Sequence, residues 1–194
     1  MQEIGRHILK VAETISDEEI EKIVTVLINA RSMGRKIMVA GAGRSGLVAK
    51  AFAMRLMHLG FYVYVLGETI TPPVAPGDVF IAVSGSGMTQ VVLSVARAAK
   101  QVGAIIVAIT SFPDSPLGKI ADVIIRVPGR TKIARESDYF TRQVLGIYEP
   151  LAPLGTLFED ASLAFFDGLI VELMNKLNIG EEDMRKRHAN IETI

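Results

Sequence analysis

The sequence contains no cysteine, and only three of its 194 residues are histidines. Without cysteine the chain has no disulfide framework, iron–sulfur cluster, zinc finger or cysteine nucleophile. A metal site made of histidine and carboxylate groups alone would have few histidine ligands available, so we predict no metal site. No run approaches the roughly 20 apolar residues that a membrane-spanning helix needs, and the first residues lack the apolar core of a signal peptide. We therefore expect a cytoplasmic protein without a membrane partner.

Neither sign of charge is in excess, because 21 basic and 21 acidic side chains cancel. Nucleic-acid-binding domains normally carry a basic surplus, so we expect no nucleic-acid partner. Hydrophobic residues make up 49% and charged residues 22% of the chain, which excludes disordered and fibrous proteins. The mean hydropathy of +0.35 is high for a soluble monomer. Surplus apolar surface usually lies at a subunit interface, so we predict a homo-oligomer.

The length favours a single domain over 1–194, divided into N-terminal helices (1–34), an α/β core (35–178) and a C-terminal tail (179–194). A capping box at Ser16–Glu19 separates the two N-terminal helices. Beyond them, short continuous apolar runs alternate with helix-length segments, as parallel strands covered on both faces do. We predict an α/β protein with a three-layer αβα, flavodoxin-like fold, whose five-stranded parallel sheet has the order 2-1-3-4-5. The strands are expected near 37–41, 61–66, 78–84, 103–110 and 121–127.

Two glycine-rich segments with hydroxyl side chains follow the first and third predicted strands. They are GAGRSG, from 41 to 46, and SGSGMT, from 84 to 89. Loop amides, the positive end of the following helix and Ser or Thr hydroxyls all bind anions, so the predicted ligand is a phosphate. Aligning Val39 with Val83 places Ser45 opposite Thr89. Because the first and third strands are neighbours in this fold, both loops are expected to line one pocket.

Two other interpretations of these loops stay open. Either loop alone could be a tight turn whose Ser or Thr is an ordinary N-cap. GAGRSG also fits the dinucleotide pattern G-x-G-x-x-G, and Glu68 follows the second strand where a ribose-binding acid would lie. Against a dinucleotide, Arg44 and Ser45 are polar at positions where its close approach favours small or apolar residues. SGSGMT also supplies phosphate donors that a nicotinamide enzyme does not need at the third strand.

The two loops, together with GETITPP, PLGTLFED and RHANIE, resemble the SIS (sugar isomerase) family of phosphosugar-binding domains over nearly the whole chain. The resemblance implies the SIS fold, a homotetramer and a cofactor-free isomerase. Its implied reaction interconverts D-arabino-3-hexulose 6-phosphate and D-fructose 6-phosphate in the ribulose monophosphate pathway, which serves formaldehyde fixation or pentose supply. It leaves open a functional link to 3-hexulose-6-phosphate synthase. The phosphate-binding residues that it implies are Ser45, Ser84, Ser86 and Thr89, with the amides of Gly85 and Gly87.

Moving a carbonyl group between C3 and C2 through a cis-enediol needs one base, for which a carboxylate suffices. The resemblance points to Glu159 in PLGTLFE as that base. Thr156 and Glu159 would alternatively form only a capping box, and Glu149 in the long polar segment over 128–153 is the spare candidate. By the same resemblance His188 reaches a neighbouring subunit's pocket, where it moves protons between substrate oxygens or opens the fructose ring. It would otherwise be a solvated tail residue.

Two further residues and two further functions complete the expectations. Arg44 either neutralises phosphate or enediolate charge or pairs with a carboxylate. His58, on the helix after the first loop, is expected to be a packed or surface residue. Another SIS isomerase, such as one acting on arabinose 5-phosphate, would keep the same phosphate pocket. A non-catalytic phosphosugar-sensing module would share both loops, but is normally fused to an effector domain.

Overall fold

Five parallel strands form the centre of the molecule in the computed structural model, which describes residues 1–129 and 155–188. Their order is β2-β1-β3-β4-β5, which confirms the predicted flavodoxin-like sheet. All five predicted strands are present. They are β1 (Lys36–Gly41), β2 (Tyr62–Val65), β3 (Val79–Val83), β4 (Ile105–Thr110) and β5 (Val123–Arg126).

Helices cover both faces of this sheet. Ser16 starts the second helix with the predicted capping box, in which Glu19 N donates to Ser16 Oγ and Ser16 N donates to the Glu19 carboxylate. The described helices are α1 (Gln2–Ala12), α2 (Asp17–Ser32), α3 (Arg44–His58), α4 (Gln90–Val102), α5 (Thr156–Leu177) and α6 (Glu181–Arg185), with a short 3-10 turn at Gly118–Ile120. Within 1–129 and 155–188, no helix combines the length and the apolarity needed to cross a membrane.

The strand side chains alternate between two apolar cores. Ile37 and Val39 of β1 face the core shared with α2, α3 and α5, whereas Met38 and Ala40 face the core shared with α4. Every residue of β3 is buried. This burial explains why the strands are continuous apolar runs, and it confirms the three-layer arrangement.

The carboxyl ends of β1 and β3 lie side by side, with Gly41 paired to Val83. This register corrects the alignment made from the sequence, because Val39 pairs with Ile81 rather than lying level with Val83. The two loops differ in length, since two residues separate β1 from α3 and six separate β3 from α4. Ser45 therefore lies in the first turn of α3, whereas Thr89 is the N-cap of α4.

Ser162 of α5 is fully buried, and its Oγ has no hydrogen-bond partner among the described residues. A buried hydroxyl without a partner costs roughly 1–3 kcal/mol. We therefore expect Ser162→Ala to raise the free energy of unfolding by about 1 kcal/mol, measured by chemical denaturation at fixed protein concentration. Ser16→Ala removes the same atom from a helix cap and should lower the free energy of unfolding by about 1 kcal/mol. A Ser162→Ala variant no more stable than the wild type would contradict this prediction.

Candidate active site

The segment from Ser84 to Thr89, here called the β3 loop, folds back on itself through its own hydrogen bonds. Ser84 Oγ and Thr89 Oγ1 lie 3.0 Å apart, and Met88 N donates to Ser86 Oγ at 3.2 Å. Gly87 N donates to Ser84 O at 3.0 Å. Thr89 makes no side-chain bond to the start of α4, so its hydroxyl is not an ordinary N-cap. The loop is thus a compact cluster of hydroxyl groups in front of a helix.

The end of β4 supports this loop. Ser111 N donates to Gly85 O at 3.1 Å, and the buried Thr110 hydroxyl donates to the same oxygen at 3.4 Å. The C=O and N–H groups of a trans peptide point in opposite directions. Because the Gly85 carbonyl points to β4, the Ser86 amide points away from β4. The Gly87 amide is used within the loop, and the Ser86 amide is a candidate donor that the sequence did not single out.

Two glycines of the β3 loop allow contacts that a side chain would prevent. Gly87 has a φ of +62°, and a Cβ atom there would lie 1.9 Å from Ser115 Oγ. A Cβ atom on Gly85 would lie 3.0 Å from the ring of Phe158 in α5. The Phe158 ring thus packs directly on the loop. This contact brings the next residue, Glu159, to the carboxyl edge of the sheet.

Glu159 is bound to the first residue of α3. Its Oε2 accepts a hydrogen bond from Arg44 Nε at 2.6 Å, and its side chain is only 14% exposed. The helix α5 begins at Thr156 with Gly155 as its N-cap and without a side-chain cap bond. The alternative capping box with Thr156 as N-cap is therefore not formed. Glu159 instead joins the start of α5 to the loop after β1.

The charge environment of Glu159 suits a base. Burial raises the pKa of this carboxyl above its ordinary value, and Asp160 adds a smaller upward effect. The Arg44 guanidinium acts on the same pKa in the opposite direction. A carboxylate with a raised pKa takes up a proton more readily than an exposed one. The geometry therefore makes Glu159 a candidate general base beside the β3 loop.

The loop after β1 presents Ser45 at the positive end of α3. Gly41 and Gly46 lie against each other, and a Cβ atom on Gly41 would be 2.7 Å from Gly46 N. This close packing of strand and helix accounts for the glycine pattern without a dinucleotide. Glu68, the residue that would bind the ribose of a dinucleotide, forms a 2.5 Å ion pair with Lys50 at the surface.

Within one chain, His188 does not reach this site. Its ring centroid lies 5.1 Å from that of His58, the last residue of α3, whereas Arg44 is the first. A helix of 15 residues is about 22 Å long, so the two imidazoles lie at the opposite end of α3 from Glu159. His58 is a packed residue, and burial lowers its pKa, with smaller contributions in the same direction from His188 and Arg55.

Glu149 lies outside the described residues. Two features of the site are not singled out by the sequence: Asp160, which accepts a hydrogen bond from Arg44 Nη2 at 3.1 Å, and the support that Thr110 and Ser111 give to the β3 loop. A signal existed for the latter, because one hydroxyl residue ends the strand next to β3 and a second directly follows it. Within 1–129 and 155–188, no group of three or more histidine and carboxylate side chains is placed to hold a metal ion.

Comparisons with known proteins extend over nearly the whole chain. The sequence profile of the SIS domain matches residues 32–145, more than half of the chain. A Bacillus subtilis protein named 3-hexulose-6-phosphate isomerase is 43% identical over 181 residues, 93% of this chain and 91% of its own. A Mycobacterium gastri protein of the same name is 37% identical over 183 residues, 94% and 86% of the two chains. A solved structure from Methanococcus jannaschii, for which a 3-hexulose-6-phosphate isomerase function was inferred, has a TM-score of 0.77 at 36% identity and covers 97% of this chain and 96% of its own.

Proposed function

This chain belongs to the SIS domain family, and from that premise we propose that it is a 6-phospho-3-hexuloisomerase. Such an enzyme interconverts D-arabino-3-hexulose 6-phosphate and D-fructose 6-phosphate. The two relatives that carry the name of this activity are 43% and 37% identical to the chain. One structural observation supports the proposal most strongly. The carboxylate of Glu159 is largely buried, and the preceding residue in the chain, Phe158, packs its ring on the β3 loop. A base and an anion-binding loop therefore share one edge of the sheet.

The phosphate group of the substrate is proposed to bind between the two loops. Hydroxyl groups and loop amides together supply donors to its oxygens, and the start of α3 adds positive potential. The Gly87 amide would have to give up its bond to Ser84 O, whereas the Ser86 amide points away from the β4 side that holds the Gly85 carbonyl. The proposed donors are the hydroxyls of Ser45, Ser84, Ser86 and Thr89 and the amides of Gly85, Ser86 and Gly87.

The proposed reaction moves only protons and the electrons within one molecule. Towards fructose 6-phosphate, Glu159 takes the proton from C2 and the C3 carbonyl oxygen gains one, which gives a cis-enediol. The same carboxyl group then returns its proton to C3 while the oxygen on C2 loses its own and becomes the carbonyl. One base serves both steps because both carbons present the same face to it. No external oxidant or reductant enters the balance, so no cofactor is required.

Arg44 is proposed to neutralise the negative charge that develops on the enediolate oxygens. Its guanidinium lies 2.6 Å from Glu159, so it reaches the atoms on which the base acts. Fixed positive charge at such a position stabilises the transition state more than the neutral substrate. Arg44 thus both pairs with a carboxylate in the structure and faces the reacting carbons in the proposed mechanism.

His188 is proposed to open the ring of fructose 6-phosphate in the pocket of a neighbouring subunit. We expect His188→Ala to lower kcat with fructose 6-phosphate by roughly 100-fold, the usual contribution of a general acid–base group. With 5-deoxyfructose 6-phosphate, which has no hydroxyl to close the ring, the same substitution should change kcat less than about twofold. Equal losses with both substrates would exclude a role in ring opening.

A coupled assay tests the proposed function. Purified protein is mixed with 3-hexulose 6-phosphate, glucose-6-phosphate isomerase and an NADP-linked glucose-6-phosphate dehydrogenase, so that NADPH reports fructose 6-phosphate. The same mixture without the hexulose phosphate must stay silent, which separates isomerisation from a dehydrogenase activity of this protein. Turnover of arabinose 5-phosphate instead would identify another isomerase. Phosphosugar binding by calorimetry without any turnover would favour a sensing module.

The same proposal includes assembly and cellular role. We place the enzyme in the cytoplasm as a homotetramer of single-domain chains, in the ribulose monophosphate pathway of formaldehyde fixation, downstream of 3-hexulose-6-phosphate synthase. Three large apolar residues of α3 support assembly, since Leu47, Met54 and Met57 are 65%, 46% and 41% exposed. Their spacing puts them along one side of the helix. Such a stripe is suited to burial against another subunit.

A further inference from the structure

The Arg44 guanidinium contacts two carboxylates, and one of them belongs to Asp160. Arg44 Nε donates to Glu159 Oε2 at 2.6 Å, whereas Arg44 Nη2 donates to Asp160 Oδ1 at 3.1 Å. Nε and Nη2 lie on the same side of the guanidinium, and arginine frequently offers two such donors to both oxygens of one carboxylate. In this structure Asp160 takes the second donor, and Glu159 is bound through one oxygen.

The other oxygen of Glu159 is turned towards Gly155. Glu159 Oε1 lies 3.8 Å from the position that a Cβ atom of Gly155 would occupy, and Gly155 has no side chain to fill it. A group that approaches from the Gly155 side therefore meets Oε1 rather than the oxygen bound to Arg44. A base needs such an accessible lone pair to take a proton from carbon.

We propose that Asp160 is a positioning residue: it prevents Arg44 from closing on both oxygens of Glu159 and so keeps Oε1 free for the substrate. This inference rests on the proposed function, in which Glu159 is the base. Without Asp160, the Nη2 donor would be released to Oε1. The base would then have to break a charge-assisted hydrogen bond in every catalytic cycle.

The charged groups around Glu159 support the same role for Asp160. Among the described residues, the charged groups that act on its pKa are Arg44 of α3, which lowers it, and Asp160 of its own helix, which raises it. Loss of Asp160 removes the upward effect and allows a second donor from Arg44, and both changes lower the pKa of Glu159. Because the base must be ionised to act, the acidic limb of kcat should then move to lower pH.

Two substitutions of Asp160 distinguish the effect of its oxygen as a hydrogen-bond acceptor from the effect of its negative charge. We expect Asp160→Ala to lower kcat about tenfold with KM changed less than about twofold, and to shift the acidic limb of kcat to lower pH. Asp160→Asn keeps an oxygen acceptor for Arg44 Nη2, so it should recover most of kcat while it retains part of the shift. Wild-type kcat and an unmoved acidic limb in Asp160→Ala would overturn the inference.

A double-mutant cycle tests whether Asp160 acts through Arg44. Arg44→Met removes the guanidinium, so the losses from Arg44→Met and Asp160→Ala should not be additive. A further tenfold loss on adding Asp160→Ala to Arg44→Met would show that Asp160 acts in another way and would overturn the inference.

A readout without turnover separates this inference from the proposed function. The pKa of Glu159 is measured by titration of its ¹³C-labelled carboxyl group by NMR, assigned with Glu159→Gln. A lower pKa in Asp160→Ala than in the wild type is expected, and an unchanged one would overturn the inference. If the pKa falls but the wild type does not turn over 3-hexulose 6-phosphate, the proposed function fails and the contact between Asp160 and Arg44 stands.

Discussion

Replacement of Glu159 by glutamine is expected to abolish isomerisation, with kcat reduced by about 10³–10⁴-fold, at the upper end of what a general base contributes. Glutamine has nearly the shape of glutamate but cannot take up a proton. Its amide oxygen can still accept a hydrogen bond from Arg44 Nε, which glutamate accepts at 2.6 Å in the structure. The packing of Phe158 on the β3 loop is therefore retained, and only the proton acceptor is lost.

Solvent exchange gives the direct measurement. In deuterated water the wild type should replace carbon-bound hydrogen of fructose 6-phosphate with deuterium, because the proton held by Glu159 exchanges with solvent before it returns. Proton NMR of the recovered sugar should show no such exchange with Glu159→Gln. Calorimetric binding of fructose 6-phosphate should stay within about fivefold of the wild type, since the proposed function assigns phosphate binding to the two loops and not to the base.

A matched control lies on the same helix. Glu172→Gln makes the same chemical change at a half-buried surface position of α5, and it should leave kcat and exchange unchanged. Retained exchange in Glu159→Gln would mean that another group is the base, and Glu149 would be tested next. Loss of binding together with turnover would instead place Glu159 among the groups that hold the sugar.

The sheet was predictable because each strand carries its own signal. All five residues of β3 are buried, and burial on both faces leaves a continuous apolar run in the sequence. The strand order follows from the alternation of strands and helices together with the fold class. The positions of the two loops' hydroxyl residues relative to each other were not predictable from an alignment of the strands. They depend on how many residues each loop contains before its helix begins.

The contacts that complete the site come from distant parts of the chain. Arg44 and Asp160 are separated by 116 positions, and no local pattern shows which carboxylate an arginine at a helix start will meet. The Phe158 ring on Gly85 depends in the same way on how α5 packs against the sheet. Residue types and loop motifs thus predict a chemistry for the site, whereas the pairing of its side chains is seen only in the fold.

Gly87→Ala is expected to weaken phosphosugar binding by about 100-fold, equivalent to about 2.7 kcal/mol, which is within the range for the loss of one strong hydrogen bond to a charged group. The added Cβ atom would lie 1.9 Å from Ser115 Oγ and 2.5 Å from Ser115 Cβ. The β3 loop must therefore move away from the β4 side, and its amides and hydroxyls leave the positions from which we propose that they bind the phosphate. A φ of +62° adds strain of about 1–2 kcal/mol for a residue with a side chain. Calorimetry with fructose 6-phosphate measures the loss, and the melting temperature reports whether the variant is folded.

A second substitution distinguishes the local contact from general damage. Ser115→Gly removes both atoms that the added Cβ atom would meet, and the next neighbour, Thr110 Oγ1, lies at 3.2 Å, where a shift of a few tenths of an ångström suffices. Gly87→Ala combined with Ser115→Gly should therefore bind at least about tenfold more tightly than Gly87→Ala alone, with Ser115→Gly measured as the baseline. Gly168→Ala in α5, which has no atom within 4 Å of the new Cβ, should bind as the wild type does. If Gly87→Ala itself binds normally, the β3 loop does not hold the phosphate, and the proposed reaction loses the group that anchors its substrate beside Glu159.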